Sequence, residues 1–229
     1  MNLEGKVVAI TGAYSGLGAA LSEALAKKGC KLVLGGREKE KLGIFAEKIP
    51  TAVPVLVDVR KMEDCEHFIS ESVKKFGRLD IMINNAGILS RFSNIEEVTE
   101  EELLDAFRTN LFGTIFCTQA AVRRMKNQGG GTIVNIGSTS AVDYKSSHIA
   151  YGTSKCAVVG LTGMLNKELN GTGIRAFCFS PGGMKTHLFR NQPERNTGDY
   201  LEPSIVSEKI IECLENPPED WHIVLRRPK

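Results

Sequence analysis

Short apolar runs alternate with amphipathic stretches along the whole chain. Residues 6–11 (KVVAIT), 31–34 (KLVL), 53–57, 79–83, 132–136, 174–179 (IRAFCF) and 221–225 are brief, apolar and rich in β-branched or aromatic residues, and each predicts a strand. Between the first two, Leu17, Ala20, Leu21, Ala24 and Leu25 share one helical face, with Gly29 placed to stop the helix. Further helices are predicted over 38–48, closed by Pro50, over 61–76, stopped by Gly77, and over 149–169 and 204–214. A long helix over 103–126 follows Thr99, whose partner Glu102 three residues on completes a capping-box signature; an irregularity is expected near Gly113. Gly129-Gly130-Gly131 reads as a turn, and 184–202, polar and without period, as a mobile loop. Strands that alternate with helices of crossover length build a parallel sheet with helices on both faces. No linker, repeat or low-complexity segment interrupts the pattern, so one doubly wound α/β domain over 1–229 is expected.

Composition agrees with that expectation and narrows the class. The 229 residues suffice for one large α/β domain, and 42% hydrophobic with 24% charged residues is ordinary for a globular protein. A net charge of +2 argues for neither nucleic acid nor a membrane surface as partner, and the basic end at 226–229 reads as solvated. Cys30, Cys65, Cys117, Cys156, Cys178 and Cys213 are dispersed without a C-x-x-C pair, which predicts reduced thiols in a cytoplasmic protein. The four histidines are scattered, so no metal site is expected. The N-terminal residues lack a signal-peptide run, and no window is long and apolar enough to cross a membrane.

Candidate chemistry falls at the ends of the predicted strands. Gly12-x-x-x-Gly16-x-Gly18 sits between the first strand and its helix, where glycines allow close approach of a pyrophosphate and the helix terminus favours its charge. The second strand ends in Gly35-Gly36-Arg37, where NAD-binding folds usually carry an acid; a guanidinium there suits a 2′-phosphate, unless Glu38 takes the ribose hydroxyls. Asp58 ends the third strand and either accepts from an adenine amine or serves as a turn residue. Asn84-Asn85-Ala86-Gly87 closes the fourth, with small residues for cofactor approach and amides that can tie strand ends together. Asn110, within an apolar helix, needs hydrogen-bond partners and is either a satisfied structural amide or a catalytic one that holds water. Tyr151 and Lys155, four apart, share a helical face, and an ammonium beside a phenol favours the phenolate. Ser138 ends the apolar run before them.

Taken together, Thr11-Gly-x-x-x-Gly-x-Gly18, Asp58, Asn84-Asn-Ala-Gly87, Asn110, Ser138, Tyr151-x-x-x-Lys155 and Pro181-Gly182 resemble the classical short-chain dehydrogenase/reductases over about residues 5 to 227. The resemblance implies a Rossmann-type fold with a seven-stranded parallel sheet and an NADP(H)-dependent oxidoreductase acting on a carbonyl or its alcohol, with NAD the less favoured cofactor. It implies Tyr151 as general acid or base, Lys155 lowering its pKa and holding the nicotinamide ribose, Ser138 on the substrate oxygen, and Asn110 anchoring a water next to Lys155. Cofactor contacts would come from Gly12, Tyr14, Ser15, Gly16, Leu17 and Gly18, from Arg37, Asp58 and Val59, from Asn85, Ala86 and Gly87, from Tyr151 and Lys155, and from Pro181, Gly182 and Thr186. Tyr14 departs from the small or hydroxyl residue usual in the turn, and would either restrict the adenosine pocket or point outward. Residues 88–95, 139–148 and 184–202 are expected to line the substrate pocket, without a choice among oxoacyl groups, small hydroxy acids and other carbonyls. The family is commonly a homodimer or homotetramer through helices matching 100–127 and 151–170, where Phe107, Leu111 and Val158 serve either an interface or the core. The competing function is a non-catalytic NADP(H)-binding sensor or interaction protein on the same fold.

Overall fold

The structure is a computed structural model, which describes residues 1–186, 188 and 199–226. Strands β1 (Val7–Thr11), β2 (Lys31–Gly36), β3 (Ala52–Leu56), β4 (Ile81–Asn84), β5 (Gly131–Ile136), β6 (Ile174–Pro181) and β7 (His222–Leu225) form one sheet in the order β3-β2-β1-β4-β5-β6-β7. Every pairing is parallel. Helices α1 (Gly16–Lys27), α2 (Lys39–Ala46) and α8 (Pro203–Glu215) cover one face; α3 (Met62–Phe76), α5 (Gly113–Gln128) and α7 (Ile149–Glu168) cover the other.

Alternation along the strands explains why their sequences read as continuous apolar runs. Val8, Ile10, Leu32, Leu34, Ile81 and Ile83 join Leu17, Leu21, Leu25, Leu42 and Ile210 in one core. Ala9, Val33, Met82 and Ile133, from the intervening positions, join Cys65, Phe68, Cys117 and Leu165 in the second. A period of two with both faces covered leaves no polar side. Each fully buried Leu, Ile or Phe contributes roughly 1.5–3 kcal/mol, so the two cores hold the sheet rigid beneath the site. Pro54 lies in β3, an edge strand, where a missing backbone donor is tolerated. All six cysteines are free thiols, and Cys156 alone of them is not fully buried.

The long helix expected over 103–126 is two helices. α4 (Glu100–Ala106) starts at the predicted capping box, with Glu102 N–H donating to Thr99 Oγ1 at 3.2 Å and Thr99 N–H to Glu102 Oε2 at 3.0 Å. A π-helical turn, Phe107–Phe112, then leads into α5 at Gly113. The irregularity therefore precedes Gly113. That glycine has its own reason, since a Cβ there would lie 2.7 Å from Val59 Cγ2. Such wide turns inside helices gather at functional sites, and this one carries Asn110. A one-turn helix without a sequence signal, α6 (Ser140–Asp143), follows β5. The ends of the 184–202 segment are bridged, Lys185 N–H donating to Leu201 O at 3.0 Å and Leu201 N–H to Gly183 O at 2.9 Å. The mobility expected of that segment falls on residues 187 and 189–198, which lie outside the described residues. Among the described residues no helix is long and apolar enough to cross a membrane.

Candidate active site

The strand order reverses between β1 and β4, and a crevice opens beyond the carboxyl ends of strands at such a point. Here it is a cleft of about 860 Å³. Every predicted site residue lines it except Gly18 and Asn110. Both lie just behind its wall and shape it from there.

The β1 and β4 ends are stitched together by the motif residues themselves. Thr11 Oγ1 accepts from the N–H groups of Asn85 and Ala86 at 3.1 and 3.0 Å, and Asn85 Nδ2 donates to Thr11 O and Gly12 O at 2.9 and 3.1 Å. Asn84 Nδ2 donates to Thr118 Oγ1 and to Asn135 Oδ1 at 3.0 and 2.8 Å, linking β4 to α5 and β5. The asparagines thus tie strand ends together, as expected of their amides. Gly18 is a packing glycine: a Cβ there would run into the Gly12 carbonyl oxygen and lie 2.6 Å from Asn85 Nδ2. α1 opens at Ser15 with no side-chain cap and no acid in its first turn, which leaves its amino end facing the cleft. Thr186 lies across this turn, its methyl 3.0 Å from where a Cβ of Gly16 would stand.

At the β2 end, Tyr14 fills the space a side chain at Gly36 would need; a Cβ there would lie 2.6 Å from Tyr14 Cδ1. Tyr14 Oη donates to Glu38 Oε1 at 3.0 Å, and Lys41 pairs with the same carboxylate. Tyr14 therefore neither points away nor closes the pocket but forms part of its wall. Arg60 grips Asp58 through Nε and Nη2 at 2.9 and 2.6 Å and holds that carboxyl below its usual range. Asp58 also accepts from the Arg60 N–H at 3.1 Å, so it is a turn residue that still borders the cleft. Arg37 borders it as well, and among the described residues its guanidinium takes up no carboxylate, unlike Lys41 and Arg60.

The opposite end holds Ser138, Tyr151 and Lys155. Tyr151 and Lys155 lie on the first turns of α7, 8% and 5% exposed. Lys155 Nζ donates to Ile136 O at 2.7 Å and stands 5.9 Å from the Tyr151 ring centre. Burial brings the ammonium down to about 8. The expected lowering of the phenol is not what the protein groups produce. Burial pushes the Tyr151 phenol up, and the hydrogen bond with Ser138 pulls the other way without reversing it. The physical reason is that desolvating a group disfavours its charged form. Ser138 Oγ accepts from Ser140 N–H at 3.1 Å, which fixes it against α6.

Asn110 is fully buried and fully engaged. Its Oδ1 accepts from Ile88 N–H at 2.8 Å, and its Nδ2 donates to Ile88 O and Ser154 Oγ at 3.0 and 2.9 Å. Its side chain joins the loop after β4 to α7, just behind the cleft wall. Val158 is 1% exposed and belongs to the core, which removes it as an interface residue. Among the described residues no group of His, Cys, Asp and Glu could hold a metal.

Sequence reasoning placed Lys145 and His148 within the stretch 139–148 expected to line the pocket, where both indeed border the cleft, but it missed the Ile136 carbonyl. His148 stacks on Phe92 with ring centres 4.0 Å apart, meets Tyr151 edge-on at 6.3 Å, and its Nδ1 lies 3.0 Å from Ser140 Oγ. A backbone carbonyl has no residue-type signal, so spacing could not announce Ile136 O.

A model of the short chain dehydrogenase family matches residues 6–197. An uncharacterized oxidoreductase of Staphylococcus saprophyticus is 34% identical over 224 residues, 95% of this chain and 94% of that protein. Another, from Thermotoga maritima, is 38% identical over 186 residues, 80% of this chain and 73% of its own. Among solved structures, a 3-ketoacyl-(acyl-carrier-protein) reductase from Brucella melitensis, complexed with NADH, superposes with a TM-score of 0.88 at 29% identity, covering 98% of this chain and 97% of that one. A match of this extent, on a parallel sheet whose cleft gathers the glycine turn, Ser138, Tyr151 and Lys155, means that the chain belongs to the short-chain dehydrogenase family.

Proposed function

We propose that the chain acts as a single catalytic domain, an NADP(H)-dependent oxidoreductase that interconverts a carbonyl and its alcohol, with Tyr151 as general acid and base. The observation that carries this reading is that one cleft has Arg37 at one end and Ser138, Tyr151 and Lys155 at the other. The fit to a dinucleotide rests on the open amino end of α1, which favours a pyrophosphate, and on the glycine-built wall at 12, 16 and 36. Glu38 and Asp58 already carry ion-pair partners while, among the described residues, Arg37 forms no ion pair, and this supports a 2′-phosphate over bare ribose hydroxyls. The Brucella relative binds NADH, which makes the nicotinamide class the secure part and the phosphate the part to test.

When bound, the nicotinamide supplies or takes the hydride. The chain's own groups handle the proton. A phenol held up by burial is protonated at neutral pH, which suits donation to the oxygen of a carbonyl being reduced. The Ser138 hydroxyl steadies negative charge on that oxygen. Lys155, anchored on Ile136 O, keeps a positive charge beside the phenol below about pH 8 and would hold the nicotinamide ribose when the cofactor is bound. Asn110 holds the Ile88 loop and α7 in register, and the proposed water beside Lys155 would rest on this frame.

The test is reduction of a panel of aldehydes and ketones with NADPH by the parent and by Tyr151→Phe. Loss of the phenolic proton is expected to lower kcat/KM by about 10² or more with cofactor affinity retained. A variant as fast as the parent would sink the mechanism. Tight cofactor binding without turnover of any panel member would favour the sensor reading.

A further inference from the structure

We infer that the Tyr14 hydroxyl sets cofactor choice by withholding the Glu38 carboxylate from the adenosine ribose; this rests on the nicotinamide-cofactor reading above. Glu38 lines the cleft two residues beyond Gly36, the last residue of β2. A carboxylate there with free oxygens would accept from the vicinal hydroxyls of a bare ribose and repel a 2′-phosphate. Both oxygens of Glu38 are taken up instead. Tyr14 Oη donates to Oε1 at 3.0 Å, and Lys41 Nζ reaches Oε2 at 2.5 Å. Glu38 is also the residue that precedes α2, yet its side chain makes no capping bond to that helix. Its direction is therefore given by Tyr14 and Lys41 and not by the free N–H groups that a residue at this place ordinarily serves.

Of the two holds, Tyr14 is the fixed one. The Lys41 and Glu38 side chains are 63% and 45% exposed, and a solvated pair at that exposure is screened and readily exchanged. The Tyr14 ring is half-buried and packs against the core beneath α1 and α2. Ala13 N–H donates to Gly35 O at 3.0 Å, which ties the turn carrying Tyr14 to the end of β2. Gly36 has no side chain to push the ring aside, since a Cβ there would lie 2.6 Å from Tyr14 Cδ1. The protonation states suit the bond. Burial first, and Glu38 second, push the phenol up, so it is a donor at neutral pH. Lys41 first, and Tyr14 second, hold the Glu38 carboxyl below its usual range, so it is an acceptor. Asp58, the other acid among the described residues lining the cleft, is gripped by Arg60 in the same manner. Neither carboxylate is left with open oxygens on the side where the ribose would lie.

The experiment titrates the full chain with NADPH and with NADH by fluorescence, as parent, Tyr14→Phe, Glu38→Gln and the double variant. Phenylalanine keeps the ring against Gly36 and removes only the hydroxyl. The ratio of NADPH to NADH affinity is expected to fall about tenfold in Tyr14→Phe, through tighter NADH and weaker NADPH. In the Glu38→Gln background the same substitution should change the ratio by less than about twofold, because no carboxylate is left to release. A ratio unmoved by Tyr14→Phe overturns the inference. An equal fall in both backgrounds overturns it as well, since the hydroxyl would then act on the cofactor itself. A parent that binds the two cofactors alike refutes the 2′-phosphate reading alone; the shift on Tyr14→Phe, present with Glu38 and absent without it, still decides this inference. Binding of neither cofactor by the parent overturns both.

Discussion

Lys155→Met offers a test in which stability and activity move in opposite directions. The ammonium is buried, and its pKa falls from 10.5 to about 8 because burial disfavours the charge. At about 1.4 kcal/mol per pH unit, holding the charge inside costs the fold on the order of 3 kcal/mol below pH 8. Methionine matches the stem and removes the charge, but leaves Ile136 O without its donor, which costs about 1 kcal/mol. The net expectation at pH 7 is a variant about 2 kcal/mol more stable, or roughly 4–8 °C in Tm for a chain of this size. The sign with pH follows from the depressed pKa. Between about 8 and 10.5 the unfolded lysine binds more proton than the folded one, so the parent gains stability as pH rises through that window while the variant does not. The gap should therefore narrow from pH 7 to pH 10. Urea melts of both proteins across that range measure it, alongside carbonyl reduction, which should be lost in the variant. A variant less stable than the parent at pH 7, or a gap independent of pH, would refute the account of Lys155 as a charge held at the expense of the fold.

Two further predictions concern the Arg37 end. Arg37→Ala should weaken NADPH about tenfold or more and leave NADH nearly unchanged, measured by fluorescence titration, since only the phosphate uses the guanidinium; equal affinities of the parent for both cofactors would refute the 2′-phosphate argument. Gly36→Asp alone should destabilise by about 1–3 kcal/mol because its Cβ meets the Tyr14 ring. Adding Tyr14→Ser should recover stability and shift preference toward NADH. Additive losses in the double variant, read from denaturant melts, would show that the two positions are not coupled.

The sequence determined the sheet, because seven apolar runs separated by amphipathic crossovers admit few arrangements. It also located most of the cleft, since phosphate turns, strand-end amides and a Tyr-Lys pair have fixed spacing on one element. Tertiary structure decided what spacing cannot carry. Burial sets the direction of the phenol's pKa, with the Ser138 hydrogen bond pulling the other way, and neither is visible on a helical wheel. Asn110 found its partners because the π-helical turn aims its amide at Ile88 and Ser154, 22 and 44 residues away. Tyr14, odd in its turn by sequence, is explained by Gly36, which only the β1–β2 register brings beside it. The stretch 139–148 is expected at the pocket, but the direction of His148 is not legible in the sequence, because an irregular loop has no period and its side chains acquire direction only from what packs against them, here Phe92 and Ser140.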